Sequence, residues 1–106
     1  MSSREERLCA VDDLVSGEAK RFEVGKYRIC LVRIGDDFYA IGDQCSHENY
    51  SLAEGEVFEE EREIECWKHG STFDLRTGEP QSLPAIKPVP VYDVKVEDGE
   101  VKVVVS

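Results

Sequence analysis

Four side chains in this 106-residue chain stand at spacings that suit a metal centre. Cys45 and His47 flank Ser46, and Cys66 and His69 enclose Trp67 and Lys68; eighteen residues separate the two pairs. The chain has only two histidines, and each lies within three residues of a cysteine. Thiolate and neutral imidazole together suit zinc, or an iron–sulfur centre in which two histidines replace two cysteines on one iron. Each pair is short enough for a single loop, and the gap is long enough for the two loops to face each other. If these were unrelated polar loop residues, chance alone would have set both imidazoles beside thiols.

The elements that must carry the loops read as strands. Residues 8–11, 21–24, 27–34 and 38–41 are apolar or alternating stretches broken by Gly25-Lys26 and Gly35-Asp36-Asp37. The stretch YRICLVRI over residues 27–34 is apolar on both faces, which predicts a central strand. Asp12-Asp13-Leu14 reads as a capped turn. Val57-Phe58 and Ile64-Glu65-Cys66 flank Glu59-Glu60-Glu61, whose charge suits a solvated hairpin tip. Extended structure resumes over residues 71–75 and turns at Thr77-Gly78. Residues 80–90 hold all four prolines, and a proline lacks the N–H that a paired strand requires, so an irregular covering loop is expected. Residues 91–96 and 101–105 alternate around Asp98-Gly99, a strong hairpin signal. This pattern predicts an all-β sandwich or barrel.

With those residues in place, the chain resembles the Rieske-type [2Fe–2S] ferredoxins of bacterial non-haem iron oxygenase systems. The similarity rests on C-x-H…C-x-x-H followed by Gly70-Ser71 and Phe73-Asp74-Leu75-Arg76-Thr77-Gly78. It extends through Phe38-Tyr39-Ala40-Ile41, Leu52-Ala53-Glu54-Gly55 and Pro84-Ala85. The resemblance implies a single Rieske domain over residues 1–106, with an antiparallel basal β-domain at about 1–41 and 85–106. A cluster-binding subdomain would be inserted at about 42–84. It further implies that Cys45 and Cys66 hold one iron of a [2Fe–2S] cluster, and that His47 and His69 hold the other. Leu52 and Pro84 would shield the cluster, Ser71 would donate a hydrogen bond towards a sulfur, and Trp67 would form part of a docking surface. The implied role is one-electron carriage, not catalysis. Electrons would pass from a flavin-dependent NAD(P)H reductase to a terminal non-haem iron oxygenase.

Thiolates donate more charge to iron than neutral imidazoles do, so the added electron is expected on the histidine-bound iron. Two departures from the respiratory Rieske pattern bear on this expectation. Tyr50 and Lys68 occupy the positions of its loop-bridging cysteines, so no covalent staple joins the loops. Phe73 occupies the place of a tyrosine whose hydroxyl favours the reduced cluster. A potential in the lower part of the Rieske range of about −150 to +300 mV is therefore expected.

A formal charge of −10 disfavours nucleic acid and anionic membranes, and it favours a partner with a basic face. No apolar run is long enough to span a bilayer, and the charged first residues do not read as a secretory signal. A cytoplasmic location is expected. Cys9 and Cys30 are expected to be buried reduced thiols; a disulfide between them is possible on sequence but disfavoured in a reducing compartment. The four cysteines lack the close spacing of an all-cysteine cluster. Other functional readings are a redox sensor, an iron–sulfur assembly protein, or a Cys₂His₂ structural zinc module that would be colourless and redox-silent.

Overall fold

The computed structural model describes residues 4–45, 50–68, 70–83 and 85–105. Within them lie ten strands and two short 3₁₀ turns, at Val11–Asp13 and Leu52–Glu54. The strands are β1 (Arg4–Ala10), β2 (Glu18–Val24), β3 (Tyr27–Ile34), β4 (Asp37–Gly42) and β5 (Val57–Phe58). The rest are β6 (Glu63–Glu65), β7 (Thr72–Asp74), β8 (Val91–Tyr92), β9 (Val94–Glu97) and β10 (Glu100–Val105). They form three antiparallel sheets, in the orders β1-β10-β9, β2-β3-β4-β8 and β5-β6-β7. The all-β expectation holds.

The four-stranded sheet is the middle layer, and β3 explains why. Its side chains alternate between two cores. Ile29 and Leu31 pack with Leu14, Ala40, Val101 and Val103 on one side. Cys30, Val32 and Ile34 pack with Cys45, Leu52, Ile64, Cys66 and Phe73 on the other. A strand covered on both faces must be apolar throughout, which is what YRICLVRI supplies. The same alternation settles the remaining cysteines: Cys9 belongs to the first core and Cys30 to the second, and both are free, buried thiols. A disulfide between them would have to pass through the sheet.

Turn chemistry sets the registers. Val24 pairs with Tyr27 across Gly25-Lys26, and Ile34 pairs with Asp37 across Gly35-Asp36. At Asp98-Gly99 both residues have positive φ, +52° and +75°, the geometry of a two-residue hairpin whose twist matches its strands.

Two elements differ from the sequence expectation. Strand β1 begins at Arg4 rather than Leu8, because β10 supplies it with a full ladder and with charge partners (Arg7 with Glu100, and Glu5 with Lys95). The stretch 91–96 is not one strand. It breaks at Asp93, whose carbonyl accepts the Val104 N–H at 2.9 Å, so that β8 joins β4 while β9 joins β10. Residues 81–90 form no strand among the described residues, in keeping with the prolines.

Candidate metal centre

The first loop leaves β4 through Asp43. Its N–H donates to the Arg28 carbonyl on β3 at 3.0 Å, and its own carbonyl accepts the Leu52 N–H at 2.6 Å. Gln44 and Ser51 then form an isolated bridge, and the Cys45 N–H donates to the Tyr50 carbonyl at 2.9 Å. These contacts bring the chain back on itself, and Cys45 is 1% exposed. The Leu52–Glu54 turn follows and drives Leu52 into the core that holds Cys45 and Cys66.

The second loop starts where β6 ends. The Cys66 N–H donates to the Ser71 carbonyl at 2.7 Å, and the Gly70 N–H to the Cys66 carbonyl at 2.9 Å. Gly70 has φ +75°, which lets the chain reverse tightly after the loop. Cys66 is fully buried, as is Ser71. The proline-rich strap lies along this loop: the Ala85 N–H donates to the Ser71 hydroxyl oxygen at 3.1 Å, and the Thr72 N–H to the Ser82 hydroxyl oxygen at 3.0 Å. Ser71 thus accepts with its hydroxyl oxygen, and among the described residues no acceptor is recorded for its own O–H.

Two further contacts tie the loops together. A Cβ on Gly55 would lie 1.6 Å from the Glu65 carbonyl oxygen, so only glycine lets the end of the first loop meet the strand that carries Cys66. At the outer edge the Tyr50 and Trp67 rings meet edge to face, 5.2 Å apart, and the Lys68 ammonium stands 6.0 Å from each ring. The two positions that lack cysteines are thus joined by a cation–π contact.

The structure therefore brings Cys45, Cys66, Leu52 and Ser71 together and leaves Trp67 half-exposed at the edge. His47, His69 and Pro84 lie outside the described residues. Two thiols enclosed in one core and not joined in a disulfide, on two hydrogen-bonded loops, are donors of the kind an iron–sulfur cluster takes. Sequence reasoning passed over Asp43, Tyr50, Lys68 and Ser82 as loop-holding residues. A carboxylate closing an apolar strand directly before the ligand loop was the available signal for Asp43.

Residues 5–93 match the Rieske [2Fe-2S] domain, and the chain belongs to that family. Its cofactor is accordingly a Rieske-type [2Fe–2S] cluster, which sets the zinc alternative aside. Within the family the chain is similar to ferredoxins. It is 42% identical over 93 residues to the 3-phenylpropionate/cinnamic acid dioxygenase ferredoxin subunit of Escherichia coli K12, covering 88% of this chain and 86% of that protein. The ferredoxin of carbazole 1,9a-dioxygenase from Nocardioides aromaticivorans IC177 superposes with a TM-score of 0.91 at 40% identity, over 93% of this chain and 95% of that one. A complex of reduced oxygenase and oxidized ferredoxin in carbazole 1,9a-dioxygenase matches with a TM-score of 0.87 at 39% identity, over 93% and 91% of the chains.

Proposed function

We propose that this chain is the ferredoxin of a multicomponent oxygenase system, taking one electron from a flavin-dependent NAD(P)H reductase and giving it to a terminal non-haem iron oxygenase. In this reading Cys45 and Cys66 hold one iron of the cluster, and His47 and His69 hold the other. When bound, the cluster supplies reversible one-electron chemistry and no substrate transformation.

The protein's own residues enclose and present it. Leu52 and Phe73, both fully buried, keep water from the thiol side. Ser71 would donate its O–H towards a cluster sulfur, and Pro84 would close the same side. Trp67 is 50% exposed beside Cys66, while Leu83 and Ile86 expose apolar side chains on the strap tied to the second loop. Such exposed apolar side chains suit the short-lived contacts of a carrier that must leave its partner each cycle. In the same reading, residues 42–84 act as the cluster-binding unit and the remainder as its base. Among the described residues no helix is long and apolar enough to cross a membrane. We place the protein in the cytoplasm, a location the two free thiols Cys9 and Cys30 favour.

The convergence of Cys45 and Cys66 in one buried core carries this reading. Purified protein is expected to contain iron and acid-labile sulfide in equal amounts and to reduce a terminal oxygenase when mixed with it under single-turnover conditions. A redox-active protein that transfers no electron to any oxygenase of its host would contradict the proposed role while leaving the cluster intact.

A further inference from the structure

We infer that Asp43 is a positioning residue for the cluster, closing the first ligand loop and holding the reduction potential down through its buried negative charge. The inference rests on the reading of Cys45 as a ligand.

Asp43 is 2% exposed, and its carboxylate accepts the Ser51 hydroxyl at 2.6 Å and the Ala53 N–H at 2.9 Å. Ser51 stands at the N-cap of the Leu52–Glu54 turn but makes no capping bond of its own. The carboxylate of Asp43 caps that turn from across the loop. Its backbone bonds to Arg28 and Leu52 complete the clamp, so one residue ties β3, the base of the loop and the turn that buries Leu52.

An asparagine would satisfy the same two contacts, because its carbonyl accepts from Ala53 and its amide donates to the Ser51 oxygen. The sequence keeps a charge instead. Among the described residues no lysine or arginine forms an ion pair with it. Arg21 and Arg28 line the cavity beside Asp43 without pairing with it, so the direct partners of its carboxylate are the Ser51 hydroxyl and the Ala53 N–H. Its field also reaches the surrounding core. Burial first, and then the Asp43 charge, push the Cys30 thiol well above its ordinary range, and Cys30 shares a core with Cys45 and Cys66. A fixed negative charge beside the thiol side opposes the arrival of an electron, and therefore lowers the potential.

The test is voltammetry of the cluster-loaded protein at one neutral pH, with cluster content and thermal midpoint measured alongside. Asp43→Asn is expected to keep both and to shift the reduction potential upward. A potential unchanged or lowered in cluster-loaded Asp43→Asn overturns the inference. Ser51→Ala keeps the charge but removes one donor to it, and is expected to shift the potential downward. An unchanged or raised potential there overturns the inference as well, and this variant decides the matter should Asp43→Asn fail to assemble. A wild-type protein without a [2Fe–2S] signal would overturn the underlying cluster assignment, a separate failure seen before any variant is compared.

Discussion

Residue by residue, the site is a set of polar atoms whose burial is matched by specific partners. Tyr50, Trp67 and Lys68 are the instructive case, because they stand where a disulfide would otherwise join the loops. Their ring and cation contacts are worth about 0.5–1.5 kcal/mol each. They should therefore slow the opening of the loops without preventing it. Tyr50→Ala is expected to leave the fold intact, destabilise it by about 1 kcal/mol, and speed cluster loss to a chelator several-fold. Bleaching of visible absorption in excess chelator measures this, and a wild-type rate would contradict it. A second residue-scale expectation concerns Cys9. Burial first, and then the nearby Asp13 carboxylate, raise its thiol above the ordinary value. A thiol whose folded pKa is raised stays protonated in the native state while the unfolded chain ionises. The stabilisation is complete below the unfolded value near 9.0 and is lost as pH rises from there through the folded pKa. Cys9→Ala should flatten the fall in denaturant midpoint between neutral and alkaline pH. An identical slope in both proteins would refute this origin.

Among the elements, the decisive feature is that strand ends, not helices, deliver the two cysteines proposed as ligands. Strand β4 leads through Asp43 to Cys45, and β6 leads directly to Cys66. Gly55 lets the two deliveries converge, since any side chain there would meet the Glu65 carbonyl. Gly55→Ala is expected to lose at least about 2–3 kcal/mol through backbone displacement and to lower cluster occupancy in the purified protein. Urea melts and iron analysis would show it; full occupancy with wild-type stability would mean that the loops move independently. At this scale the sequence was readable where local chemistry decides structure and unreadable where it does not. The doubly apolar β3 and the Asp98-Gly99 turn announced themselves, as did Cys45 and Cys66 through their spacing to histidines. The break at Asp93 did not, because alternation in residues 91–96 records which faces are covered and not which sheet supplies the neighbour. Arg4 to Arg7 read as a charged lead-in, since the ladder that makes them a strand comes from β10, nearly a hundred residues away. Asp43 was passed over, because its value lies in donors that the fold brings back from Ser51 and Ala53.

The whole molecule is a layered β-structure in which one sheet serves two cores. One core joins it to β1, β9 and β10, and the other joins it to the ligand loops. Burial of Cys45 and Cys66 is thus continuous with the core of the fold, which gives bound iron a means of stabilising the domain. The net charge of −10 acts at longer range. With a partner whose docking face is basic, the second-order rate of electron delivery is expected to fall as ionic strength rises from about 0.02 to 0.3 M, because the Debye length shrinks to several ångströms. Stopped-flow mixing of reduced ferredoxin with oxidised oxygenase measures that slope. A rate rising with salt would show that the local surface around the loops, not the net charge, governs encounter.

We propose that Cys45 and Cys66 hold one iron of the cluster and that His47 and His69 hold the other. Pulsed EPR of the dithionite-reduced protein tests it most directly, because nitrogen bound to a paramagnetic iron leaves a strong hyperfine signature. The expected result is two strongly coupled ¹⁴N nuclei, with that signature lost when either His47 or His69 is replaced. A reduced [2Fe–2S] spectrum without strong nitrogen coupling, or one unchanged in both histidine variants, would contradict the assignment.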